Sequence, residues 1–69
     1  MTFKEAQEAF INRLPVSYQG TMYKKIMIIS FQYNSHGELI ETATLEDVTG
    51  KSWATVPIKE VERWQQASI

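Results

Sequence analysis

Residues 16–56 read as short alternating strands cut by three turn signals: Gln19-Gly20, Asn34-Ser35-His36-Gly37 and Asp47-Val48-Thr49-Gly50. Connections this short join antiparallel neighbours, because a parallel crossover needs a dozen residues or more. The middle of the chain is therefore predicted to be an antiparallel β-meander. A chain of 69 residues makes one domain at most. A domain of that size buries only about 60% of its unfolded surface, so its sheet needs a cover to stand. The expected organisation is a helical segment over 1–14, the meander over 16–56, and a short helix or 3₁₀ turn over 58–66.

The cover is predicted at the N-terminal end, as a helix from Thr2 to about Arg13. Thr2-Phe3-Lys4-Glu5 fits a capping box, in which Thr2 and Glu5 satisfy each other's free backbone donors. Met1 and Ala6 stand at the hydrophobic-staple positions. Phe3, Ala6, Phe10 and Leu14, with Ala9 beside them, form an apolar stripe at three- and four-residue spacing, read as core. Pro15 disfavours helical geometry at Leu14 and ends the helix there.

Four strands are expected, over residues 16–18, 21–33, 38–46 and 51–56. The second is the longest. Simple alternation puts Tyr23, Lys25, Met27, Ile29, Phe31 and Tyr33 on one face. Its centre, Ile26-Met27-Ile28-Ile29, is apolar on both faces, as in a strand covered on both sides. The helix is the expected second cover, and a strand of this length is expected to bend or bulge. The next strand sets Leu39, Ala43 and Leu45 with Glu41 against a more polar Ile40, Thr42, Thr44 and Glu46. In the last, Ser52, Ala54 and Val56 oppose Trp53 and Thr55, and either face fits the core. Pro57 stops that strand, and Ile58, Val61 and Trp64 follow at three-residue spacing.

Charge and composition exclude several activities. Seven basic and eight acidic side chains give a net charge of -1, without the basic surplus expected of a polyanion binder. No segment approaches the run of about 18 apolar residues that a membrane span needs. The absence of cysteine removes disulfides and thiolate ligands and points to the cytoplasm. His36, the one histidine, sits in a turn without the partners a metal site needs. Ser35, His36 and Asp47 form a triad on paper only, with no strained nucleophile turn and no oxyanion hole. The three glycines are too scattered to cradle a phosphate. A chain this short is expected to have little room for a pocket of about 300 Å³ or more that would enclose a substrate. No enzyme, metal or cofactor is expected.

The order of helix, four strands and helical turn is similar to small SH3-like barrels carrying an N-terminal helix. Two local patterns, Val16-Ser17-Tyr18-Gln19-Gly20 with Tyr23 three residues on, and Asp47-Val48-Thr49-Gly50-Lys51-Ser52, resemble a group of small phage and mobile-element proteins. The resemblance covers roughly residues 16–61 and implies the fold and a genomic setting, with no functional residues to carry over. The Gln19-Gly20 turn is too short for the long loop with which peptide-binding SH3 domains grip proline-rich ligands. The fold class expected is α+β: an N-terminal helix packed on a four-stranded antiparallel meander, as an SH3-like small barrel with a short C-terminal helical turn.

Function is then expected from aromatics the core cannot hide. Tyr18, Tyr23, Phe31, Tyr33, Trp53 and Trp64 are too many for so small a sheet, and exposed tyrosine and tryptophan are enriched in binding hot spots. The expected role is a non-enzymatic module that binds another protein, with Trp53, Tyr23, Tyr33 and Lys25 as contact residues. A homodimer through a strand edge fits the same pattern, since edges carry unpaired donors and acceptors. The alternative is a nucleic-acid-binding regulator that stacks bases on Tyr23 and Tyr33 beside Lys24, Lys25 and Lys51.

Overall fold

The computed structural model describes residues 1–64. It is an α+β fold with one helix and two three-stranded antiparallel sheets, not closed into a barrel. The elements are α1 (Phe3–Ile11), β1 (Val16–Tyr18), β2 (Thr21–Tyr23), β3 (Lys25–Tyr33), β4 (Leu39–Glu46), β5 (Trp53–Pro57), a 3₁₀ turn (Ile58–Glu60) and β6 (Glu62–Arg63). One sheet has the order β2-β1-β6 and the other β3-β4-β5. No described helix is long and apolar enough to cross a membrane.

The single four-stranded meander is thus corrected. The expected strand over residues 21–33 breaks at Lys24, and β2 and β3 go to different sheets. A three-residue β1 has no length to cover a nine-residue β3, so it closes a separate hairpin with β2. That hairpin turns on Gln19 and Gly20, both at positive φ (51° and 78°), the signature of a type I′ turn. The chain returns after the 3₁₀ turn as β6, which pairs with the other side of β1. The apolar spacing of Ile58, Val61 and Trp64 is therefore a 3₁₀ turn followed by a strand, with Ile58 and Val61 buried and Trp64 part exposed. Residues 65 and 66 of the expected helical turn lie outside the described residues.

Helix α1 begins as its sequence dictates. The Glu5 N–H donates to Thr2 Oγ1 at 3.2 Å and the Thr2 N–H to Glu5 Oε1 at 2.9 Å, completing the capping box. The Thr2 N–H first, and then its side chain, hold the Glu5 carboxyl below the usual carboxylate range. The helix stops at Ile11, two residues before the expected Arg13. The Leu14 N–H reaches the Ala9 carbonyl at 2.9 Å, and the Arg13 N–H reaches Phe10 at 3.3 Å. This is a Schellman cap, with Arg13 at φ 55° in the place glycine usually takes.

The core is small and made of small side chains. Ala6, Ala9, Val16, Ile26, Ala43, Leu45, Val56, Ile58 and Val61 are buried together. Only Ala6 and Ala9 of the helical stripe are among them; Phe3, Phe10 and Leu14 remain more than a third exposed. The helix meets β3 through its two alanines, and its larger neighbours stay at the margin of the buried cluster.

A bulge sets the faces of β3. Ile26 pairs with Leu45 and Ile28 with Thr44, leaving Met27 unopposed. Ile26 and Ile29 therefore face the core together, while Ile28 points out. The apolar run from Ile26 to Ile29 is one buried face with its phase reset, not a strand covered on both sides. The same reset puts Lys25, opposite Glu46, on the outer face and separates it from Ile29, Phe31 and Tyr33. In β5, Ala54 and Val56 face in, and Trp53 and Thr55 face out.

Candidate functional site

The distinctive site is an overhang. β3 and β4 stay paired out to Tyr33 and Leu39, whereas β5 ends with Pro57 opposite Thr42. Beyond that row the β3–β4 hairpin runs on as a two-stranded arm. Its tip is locked by Asn34, whose Oδ1 accepts from the His36 N–H at 2.9 Å and the Glu38 N–H at 3.0 Å. Asn34 Nδ2 donates to Glu38 Oε1 at 3.2 Å. These bonds fix the turn and keep the two strands in register.

The inner face of the arm continues the core face but leaves it uncovered. Phe31 is 53% exposed, Leu39 53% and Tyr33 74%, against 0% for Ala43 and Leu45 further along the same face. Phe3 leans on Phe31 with ring centroids 5.1 Å apart and planes tilted by 60°. Such a pair is worth about 0.5–1.5 kcal/mol beyond its buried area. It anchors the start of the helix to the base of the arm.

Between this arm and the helix start lies a groove of about 600 Å³, bounded by Met1–Phe3, by Glu38–Glu41 and by Pro57–Lys59. The space is an open groove and not an enclosed pocket, and it opens between elements because β5 stops short. Backbone geometry gives the groove its chemistry. Ladder bonds alternate along an antiparallel strand. The Asp47 N–H donates to the Ser52 carbonyl, so Leu45 and Ala43 turn their backbone groups to β5, and Glu41 and Leu39 turn theirs the same way. The Thr42–Pro57 pairing brings the Ile58 N–H to the Glu41 carbonyl, and no described strand receives the Glu41 N–H or the backbone groups of Leu39. The far wall is firm: the Met1 amino group donates to the Val61 carbonyl at 2.7 Å. Arg63 Nε lies 3.5 Å from Glu5 and its Nη2 3.9 Å from Glu8, tying β6 to α1.

The residues expected at the site are dispersed. Tyr33 lies on the arm. Trp53, 62% exposed, lies on the outer face of β5 in one row with Glu46 and Lys25. Tyr23 is in β2, half buried against the core. Lys24, at the bend, sits 3.9 Å from Glu46. The spacing of Phe3 reads as core and Leu39 falls on the less polar face of its strand; the overhang turns both into site residues. The signal for it is a mismatch in length: β4 has eight residues and β5 five.

Among the described residues no group of three His, Cys, Asp or Glu side chains is placed to hold a metal ion. His36 is exposed in the arm's turn. No protein family, curated protein or solved structure matches this chain.

Proposed function

We propose that the protein is a non-enzymatic protein-binding module, and that it takes an extended peptide as an added strand along the overhanging edge of β4. The observation that carries this is the outward backbone of Leu39 and the outward N–H of Glu41, which no described strand receives, facing a groove of about 600 Å³ beside exposed Phe3, Phe31 and Leu39. Strand addition draws affinity from main-chain hydrogen bonds and specificity from alternate side chains. A peptide here would continue the track of β5 past Pro57 and set its inward side chains on the arm's apolar face. The resemblance to phage and mobile-element proteins makes an accessory role in such an element the natural setting.

Nucleic-acid binding receives less support, because Tyr33 is far along the arm from the Lys24–Lys25 end of β3 and on the face opposite Lys25. The test is capture of a protein partner, followed by titration with the purified partner. Leu39→Pro removes an outward N–H that makes no internal ladder bond, so the fold should hold while affinity falls by about tenfold or more. Trp53→Ala should leave affinity unchanged. Loss of binding in Trp53→Ala with Leu39→Pro unaffected would move the site to the outer face. Salt-sensitive binding of a labelled single-stranded oligonucleotide would favour the nucleic-acid reading instead.

A further inference from the structure

The opposite edge of the same arm carries a second, independent surface. Between Lys25 and Glu38 the sequence has no formally charged side chain, and between Ile26 and Tyr33 it has neither glycine nor proline. Natural edge strands are usually blunted by lysine, proline or brevity; this nine-residue edge has Lys25 at its start and the bulge at Met27, and no such device from Ile28 to Tyr33.

Its free hydrogen-bonding groups can be assigned. The Asn34 N–H donates to the Glu38 carbonyl, so Gln32, Ser30 and Ile28 turn their backbone groups towards β4. Ile29, Phe31 and Tyr33 turn theirs away, to an edge that pairs with no described strand. We propose that β3 pairs antiparallel with β3 of a second copy of this chain, about a two-fold axis at Phe31, joining the two β3-β4-β5 sheets into one of six strands.

The register follows from three constraints. A two-fold axis normal to the sheet keeps inner face with inner face, so only residues of like parity pair. Centring on Phe31 is the register in which all three outward residues of each copy find hydrogen-bonding partners: Phe31 with Phe31, and Ile29 with Tyr33 both ways. It sets Ser30 against Gln32 on the outer face and opposes no like charges. The other edges suit a second copy less well. β5 turns out only Trp53, Thr55 and Pro57, and Pro57 has no N–H. A β4 overhang turns out only Leu39 and Glu41, and pairing it with itself about Glu41 opposes two like charges. A second copy is therefore the occupant that the uncharged, self-complementary β3 edge selects.

The test is sedimentation of the full chain over a concentration series, with circular dichroism to confirm folding. Ser30 and Gln32 are exposed and lie off the peptide groove, so variants there leave the β4 reading intact. Ser30→Lys/Gln32→Lys places lysine opposite lysine twice and should raise the concentration for half-association by about tenfold or more. Ser30→Lys/Gln32→Glu places lysine opposite glutamate twice and should associate as well as the parent. A parent that stays monomeric to millimolar concentration overturns the pairing, as does association unaffected by the double lysine. Weakening of both variants alike overturns the Phe31 register. A monomeric parent that still binds its partner through Leu39 ends this proposal alone; a dimer whose partner affinity ignores Leu39→Pro ends the other alone.

Discussion

The β3–β4 hairpin has two halves with opposite fates. Near Ile26, Ala43 and Leu45 its inner face is closed over by α1 and flanked by β5. Near Phe31, Tyr33 and Leu39 the same face, continuing the same pairing, stands open. The larger side chains are at the open end. Alternation within the two strands does not distinguish the halves. What distinguishes them is where a third strand ends, at Pro57, and where a nine-residue helix with an alanine face reaches. Burial here is decided by the neighbours that cross the hairpin, and surface left uncovered is available for recognition.

The largest effect that tests the comparison is in the closed half. Leu45→Ala should cost about 2–5 kcal/mol, enough to unfold much of a domain at the low end of the usual stability range. Tyr33→Ala in the open half should stay within about 0.5 kcal/mol. Urea midpoints measure both, and equal losses would erase the distinction. A smaller gain is expected at the helix end. Arg13→Gly relieves a left-handed residue in the Schellman cap and should stabilise by about 0.5–1 kcal/mol; a loss would show that the Arg13 side chain matters more than its backbone.

The smallest effect is in pH dependence. The side chain and N–H of Thr49 both donate to Asp47 and hold its carboxyl below the ordinary range, and Thr2 does the same for Glu5. A folded pKa below the unfolded value gives stability that is fully present above the unfolded value of about 4 and lost as pH falls through the folded one. Glu5→Gln/Asp47→Asn should therefore flatten the fall in melting temperature between pH 5 and pH 2. An unchanged slope would place the acid sensitivity elsewhere.

Local chemistry was legible in the sequence, and long-range placement less so. The Thr2–Glu5 capping box, the Gln19-Gly20 turn and the later two turns are written in adjacent residues, and each formed where its signal lay. The strand over residues 21–33 carries no glycine or proline to mark its break at Lys24. The Met27 bulge leaves only an apolar run that also fits a doubly covered strand, so Lys25 was put on the wrong face. The helical stripe is right in phase, but Phe3, Phe10 and Leu14 stay at the margin while Ala6 and Ala9 are buried, an outcome set by packing against strands distant in sequence. Of the four expected contact residues, Tyr33 alone lies on the arm.

Amide hydrogen exchange, resolved residue by residue at two protein concentrations, tests the comparison most directly. In dilute solution the amides of Ala43 and Leu45 should exchange slowly, through global unfolding, and the outward amides of Phe31, Tyr33, Leu39 and Glu41 quickly. On concentration Phe31 and Tyr33 should slow while Leu39 and Glu41 stay fast. Phe31 and Tyr33 amides as protected as Leu45 in dilute solution, or indifferent to concentration, would contradict an open arm with a self-pairing edge.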